Sequence, residues 1–462
     1  MSGNNKNGIV IAGGGLTGLA AGHTLSKAGF GLTLFESDTT VGGLSKTMLH
    51  NGFRFDLGGH RFFTKDARID AFVRELMNGE LICVPRKSKI FLRGRYFDYP
   101  LKPFNALFGL GVPTTAGIIA DYAVQRMKRM IRVPGQISLE DWVVSHFGRA
   151  MFNLYFKEYS EKVWGLDCSR MSMDWAAQRI RGLSLTKAIR NAFFKFSGKD
   201  IPSLADRFVY PELGIGRLSD RLKEEIERYH NHVVTGACVK SLKHSGLRIE
   251  SAEVETGPGR DVVEVEEFIS SIPLTKLVRM LDPQPPHNVL EAAARLRFRD
   301  LVVVAVMIDR ERVTDQTWIY IPEKKIPFGR IHEPTNWSEK MAPPGKTLLV
   351  MEYFSAIGDA VWNEHDERLA DITVRHLEQL GFIKKHEVLD SLVVRAPRAY
   401  PLFEVGYDKH CAVLYDYLER FTNLHIAGRT GMFKYYNMDH AIASGMKAAE
   451  SVNGAFRQHI KP

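Results

Sequence analysis

Three glycines near the N-terminus, Gly13, Gly15 and Gly18, stand in G-x-G-x-x-G spacing within the stretch IVIAGGGLTGLAAG. They follow a short apolar run, Gly8 to Ala12, of the kind a buried parallel strand needs. The first glycine permits a tight turn, the second lets backbone approach a pyrophosphate, and the third lets helix and strand pack closely. Leu16 and Thr17 then open a helix whose free N–H groups and partial positive charge suit phosphate. A second strand, LTLFE, ends in Glu36, with Ser37 directly after it. A carboxylate at that spacing binds a ribose hydroxyl pair and disfavours a 2′-phosphate. The chemistry is that of a bound dinucleotide. The sixteen histidines never fall in HxxxH or HExxH spacing, and no G-x-S-x-G elbow occurs. No metal centre is expected, and so thin an acid–base inventory leaves the reaction to an organic cofactor.

The other end of the chain carries a similar arrangement. IAGRTGMFKYYNMDHAIASG gives a strand, a glycine turn at Gly428 and Arg429, and a helix beginning near Met438 and Asp439. Just beyond Glu36 stand Gly42, Gly43 and Leu44, and FDLGGHRFF supplies Gly58, Gly59 and His60. Glycines at 58 and 59 would let backbone come up against a flat ring. Together these stretches resemble the flavoprotein group that includes amine oxidases, phytoene desaturases and UDP-galactopyranose mutases. The resemblance implies FAD. In that group the second glycine loop lies along the FAD phosphates and the last turn approaches the pyrophosphate and ribityl chain. The last helix then faces the flavin with its N-terminus, which favours the anionic reduced form. His60 takes a flavin-side role on this reading; a hydrogen-bonded turn histidine is the alternative. The stretch YPELGIGRLSDRLKEEIERYHNHVVTGACVKSLKH resembles the segment that returns to the cofactor near its adenine, which assigns Val239 to cofactor binding.

Four further stretches carry a narrower resemblance, to the mutases. EYSEKVWG places Trp164 as an apolar plate for a pyrimidine or, equally, as a core residue. Arg179 falls about where that family holds the substrate phosphates. In LRFRDL, Arg299 matches the arginine that clamps the diphosphate, work suited to a planar guanidinium. FGRIHE contributes Arg330, and the C-terminal stretch contributes Arg429, Tyr435 and Met438. Two positions depart from the mutase pattern: Phe433 replaces a tyrosine, and Asn437 replaces an aspartate and its charge. The resemblance implies an enzyme that uses reduced FAD to isomerise or otherwise transform a nucleotide sugar for polysaccharide or glycoconjugate synthesis. His60, Arg299, Tyr435 and Asn437 would be its catalytic set, with NAD(P)H as a possible external reductant. The alternative is an FAD oxidoreductase, similar to amine oxidases, protoporphyrinogen oxidases or phytoene desaturases, that oxidises a small organic substrate.

These residues must be gathered by an α/β fold, and the expected fold is a discontinuous Rossmann-type FAD domain interrupted by two inserts. Residues 1–85, 203–272 and 393–462 make the FAD domain. Residues 86–202 form a mostly helical substrate or lid region, and 273–392 a β-rich substrate domain with runs such as LVVVAVMID and TLLVMEYF. The 462 residues are too many for one core, and 45% hydrophobic with 25% charged residues is an ordinary globular composition. The formal charge is +9, and the excess is concentrated between residues 121 and 200. That basic segment suits a phosphorylated ligand, a membrane surface or merely a solvated helix face. Four cysteines stand far apart, which fits a reducing compartment. Neither a signal pattern nor an apolar run of membrane-spanning length is present. The expectation is a cytoplasmic protein with a small-molecule substrate, no nucleic-acid partner and at most peripheral membrane contact. Oligomeric state is not legible.

Overall fold

The computed structural model describes residues 8–92, 94–99, 112–131, 138–174 and 207–459. Strand β1 (Ile9–Ala12) pairs in parallel with β2 (Leu32–Glu36) on one side and with Glu267–Ser270 on the other. His232–Thr235 and Leu424–Ile426 complete a five-stranded, all-parallel sheet at its two edges. Both faces are covered, so both alternating sets of side chains are apolar. Ile9, Ile11, Leu32 and Leu34 pack under helix α1 (Leu16–Lys27), while Val10, Ala12, Phe35 and Phe268 pack toward a four-stranded sheet.

The first and last helices touch. The C-terminal helix, Met438–His459, lies along α1, and a β-carbon on Gly445 would sit 2.1 Å from the Thr17 carbonyl oxygen. Gly428 is also tight, with a β-carbon 2.6 Å from Thr17 Oγ1 and φ of +85°. Only glycine allows this approach.

The second layer is a seven-stranded, mainly antiparallel sheet. Its order is Val388–Pro401, Phe298–Ile308, Thr347–Ser355, Arg330–His332, Trp318–Tyr320, Ser88–Leu92, Arg95–Asp98. The boundary expected at residue 393 falls inside the first of these strands. Helices follow in the 86–202 region, including Val112–Ile131, which exposes Ile119, Val124 and Met127. No helix among the described residues is long and apolar enough to cross a membrane.

Two polar clips fasten the segments that flank the sheets. Lys162 Nζ donates to the carbonyls of Ile321, Glu323 and Phe328 at 2.7–2.9 Å, fastening the helix Lys157–Trp164 to the sheet. Asp56 accepts from Thr47 Oγ1, Tyr210 Oη and the Ile215 N–H, and burial raises its carboxyl to about 6 despite those donors.

Candidate active site

Parallel strands direct their carboxyl ends toward a common edge, which is where α/β sheets bind ligands. A cleft of about 1120 Å³ opens there and reaches the seven-stranded sheet. The three N-terminal glycines divide the work. Gly13 has φ of +104°, and a β-carbon there would meet Ser271 Oγ at 2.4 Å. At Gly18 the added carbon would lie 2.0 Å from the Gly13 carbonyl oxygen, so helix and strand are in backbone contact. Around a β-carbon added at Gly15 nothing lies within 4 Å. Gly15 alone of the three faces open space, on the cleft wall with Leu16 and Thr17 at the start of α1.

A second loop completes this floor. Gly42 N–H donates to the Gly14 carbonyl at 2.8 Å, and a β-carbon on Gly43 would stand 3.3 Å from Gly15 Cα. Glu36 Oε2 accepts the Gly14 N–H at 2.6 Å, and Oε1 accepts the Asp38 N–H at 2.8 Å and Ser37 Oγ at 3.2 Å. Oε2, with a single donor, keeps acceptor capacity for a ribose hydroxyl. Leu44 and Val239 line the same end. An open glycine, a helix N-terminus and a preoriented carboxylate fit the phosphates and ribose of a dinucleotide.

Further along, Gly58, Gly59 and His60 form a tight loop. A β-carbon on Gly59 would overlap the Trp318 ring, and Gly59 N–H donates to Glu352 Oε1 at 3.2 Å. His60 Nδ1 lies 3.1 Å from the Gly58 carbonyl, which can only accept, so Nδ1 carries the proton and Nε2 is left as an acceptor. Burial, then the Arg429 charge, lowers its pKa to about 4. The imidazole is neutral at physiological pH.

Fully buried Glu352 also pairs with Arg330, whose Nη1 donates to Oε2 at 2.9 Å while Nε donates to Tyr159 Oη at 3.0 Å. Arg429 lies over the rings of Tyr400 and Tyr435 at 4.6 and 4.8 Å. Asn437 lines the cleft and its carbonyl accepts the Ala441 N–H at 2.9 Å, which makes it the N-cap of the last helix. Met438 and Asp439 follow on the wall. Burial pushes the Asp439 carboxyl up, but the contact with His440 at 3.0 Å outweighs it and holds it below its ordinary value.

Several residues singled out in the sequence stand elsewhere. Gly18 and Gly428 lie beneath the floor, in the contacts with Gly13 and Thr17 given above. Trp164 is buried edge-on to Tyr400 and Tyr435 at 5.8 and 6.2 Å and does not line the cleft. Arg299 does not line it either. Its guanidinium donates to the carbonyls of Val163, Lys162 and Phe354, fastening the end of the helix Lys157–Trp164. A cation there also complements the helix dipole. Arg179 lies outside the described residues. Phe433 is a core residue packed against Phe298 and Phe403.

The cleft also gathers residues that the sequence reading passed over: Arg61, Arg86, Tyr99, Trp318, Tyr320, Arg398 and Tyr400. Arg61 adjoins His60, and Trp318 and Tyr320 share a face of one strand by period two, signals that were available. Arg398 was not legible. It has φ of +55° next to a register slip in its strand, where Asp300 accepts its N–H at 2.6 Å, and such a bulge re-aims a side chain.

Comparison with known proteins agrees with this geometry. Residues 16–453 match the family described as flavin containing amine oxidoreductase. Protoporphyrinogen oxidase 2 of Arabidopsis thaliana, chloroplastic/mitochondrial, is 22% identical over 96% of this chain and 93% of its own length. A 4,4′-diapophytoene desaturase of Staphylococcus aureus is 38% identical over 90 residues, 20% of this chain and 18% of its own. Among solved structures, reduced UDP-galactopyranose mutase superposes with a TM-score of 0.84 at 22% identity, covering 97% of this chain and 96% of the other. Putrescine oxidase bound to putrescine gives 0.65 at 16% identity, covering 97% and 99%. At such identities the superpositions speak for the fold, and the family match across nearly the whole chain speaks for the cofactor. The chain belongs to the flavin-containing amine oxidoreductase family, and its cofactor is FAD.

Proposed function

We propose that this flavoenzyme transforms an anionic, diphosphate-bearing substrate, a nucleotide sugar, without net oxidation, as the resemblance to the mutases implies. One observation carries the reading. The cleft is lined by nine basic side chains against three acidic ones: Lys46, Arg61, Arg86, Arg207, Lys276, Arg330, Arg395, Arg398 and Arg429 against Glu36, Asp38 and Asp439. The two charges of the FAD diphosphate leave a positive balance, and a cleft of one sign concentrates ligands of the other. An apolar polyene has no use for such a wall.

Bound FAD supplies a nucleophilic ring nitrogen when reduced, or a hydride acceptor when oxidised. This chain's own residues then bind and orient. The turn at Gly13–Gly15 and Glu36 hold the dinucleotide, Arg429 and the tyrosines beside it hold substrate, and neutral His60 offers Nε2 as an acceptor at the flavin-side loop. A second reading, hydride removal from an anionic substrate, is favoured by the attachment of Arg299 to backbone carbonyls and by the match to a protoporphyrinogen oxidase over 96% of the chain. The deciding experiment reduces the FAD-loaded protein with dithionite, excludes oxygen, and follows UDP-, GDP- and dTDP-sugars by NMR. A rearranged sugar with the flavin still reduced supports the first reading. The absence of a rearranged sugar under these conditions refutes it, as does a parallel run of the oxidised enzyme in air in which oxygen uptake or flavin reduction matches product one for one.

A further inference from the structure

The basic side chains of the cleft are not equivalent. Lys46 is paired with Asp38 at 2.5 Å, Arg330 with Glu352 at 2.9 Å and Arg395 with Asp366 at 2.5 Å. Arg86 has no such partner among the described residues, and its Nε is buried without an acceptor. Its guanidinium instead lies over the Tyr99 ring at 5.2 Å. Tyr99 meets Tyr320 at 4.6 Å, and Tyr320 meets Trp318 at 5.9 Å. Arg61 lies over that same Trp318 at 5.3 Å and over Phe208 at 5.8 Å. Arg207 is the neighbour of Phe208, and it is brought beside Arg86 by the pairing of Pro85 with Arg207. Three guanidinium groups thus share one aromatic-walled end of the cleft, beside the seven-stranded sheet.

A half-buried cation with a buried, unmet N–H donor is costly to leave alone. Stacking on a tyrosine compensates part of the charge but leaves the N–H groups free for an oxygen ligand. Planar guanidinium groups that converge from separate segments match the several oxygens of a phosphate or diphosphate. We propose that Arg86, with Arg61 and Arg207, forms an anion subsite that takes the phosphate or diphosphate of the substrate. The subsite rests on the reading of the cleft as an active site for an anionic substrate. It assigns to Arg86 the work that the sequence resemblance gives to Arg299.

Isothermal titration of the FAD-loaded full chain with inorganic pyrophosphate and with UDP tests this. Wild type binds both, more weakly as salt rises. Arg86→Gln and Arg207→Gln each weaken both ligands tenfold or more, with FAD content and melting temperature unchanged. Arg207 is exposed, so its variant remains informative if Arg86→Gln does not fold. Arg260→Gln, an exposed charge loss outside the cleft, leaves binding as it was. Binding within twofold of wild type in both cleft variants overturns the subsite. So does an equal loss in Arg260→Gln, or a wild type that binds neither ligand. If pyrophosphate binding depends on Arg86 but no nucleotide sugar is turned over, the subsite stands and the substrate reading falls. If a nucleotide sugar is turned over with unchanged KM in Arg86→Gln, the reverse holds.

Discussion

Replacing Gly15 by valine should remove FAD and leave the fold alone, whereas Gly18→Ala should do nearly the opposite. Gly15 has φ of −74° and nothing within 4 Å of an added β-carbon, so the apo protein meets neither strain nor overlap. Its stability should stay within about 0.5 kcal/mol of wild type. The open space is where a pyrophosphate approaches the N–H groups opening α1, and the valine side chain fills it. Losing two charge-assisted hydrogen bonds at about 1.5–3 kcal/mol each weakens FAD by about 3–6 kcal/mol, on the order of 10²- to 10⁴-fold. At Gly18 the added carbon would lie 2.0 Å from a backbone oxygen, which no rotamer can relieve. Helix α1 must shift off β1, and overpacking of that kind costs about 1–3 kcal/mol. Thermal melts of the two apo proteins and a flavin-fluorescence titration measure both quantities. If Gly15→Val binds FAD like wild type, or unfolds earlier than Gly18→Ala, the division of labour among these glycines is wrong.

Glu36→Ala should weaken FAD by about 1–3 kcal/mol without changing the flavin spectrum, because the contact is to the adenosine ribose; an unchanged dissociation constant would place the ribose elsewhere. With its pKa at about 4, His60 stays neutral from pH 5 to 8, so the activity profile should carry no His60 limb. A step near 6.5 that disappears in His60→Asn would contradict this. Asp56 titrates near 6 in the folded chain against an ordinary 3.8, so its contribution to stability is fully present below 3.8 and is lost as pH rises through 6. Urea melts at pH 5 and pH 7 should therefore show wild type gaining roughly 1–2 kcal/mol on acidification relative to Asp56→Asn; parallel behaviour would remove the buried carboxyl from the account. Asn437→Asp should retain FAD and lower the flavin reduction potential, since a new negative charge on the cleft wall opposes an anionic reduced ring. A potential that rises sinks the placement.

The cofactor half of the molecule was legible because its signals are local. A glycine's role follows from backbone sterics within a few residues, and Glu36 is fixed by the length of one helix and one strand. The substrate side is written in pairings that no short stretch reveals. Arg299 stands where the mutase pattern carries its diphosphate clamp, and its donors meet the carbonyls of Val163, Lys162 and Phe354, from two distant segments. Asn437 looked like a departure in the chemistry, and its position as the cap of the last helix gives it a backbone reason. Arg86 gave no signal at all. Its place depends on Pro85 pairing with Arg207, more than a hundred residues along the chain.

The same long-range pairings tie the Gly58–His60 loop to the seven-stranded sheet. The Gly58–Gly59 loop is walled by the seven-stranded sheet: Trp318 closes over Gly59, and Glu352 takes the Gly59 N–H. Glu352 holds Arg330 with its other oxygen, and Arg330 lies on the cleft with the Trp318 ring 5.5 Å away. A change in the charge near Arg330 therefore meets a carboxylate that also fixes the loop carrying His60. Because Glu352 is fully buried, it cannot exchange either partner for water without the cost of an unmet charge. The loop that carries His60 therefore takes its geometry from two strands of the seven-stranded sheet, which lie far along the chain from it.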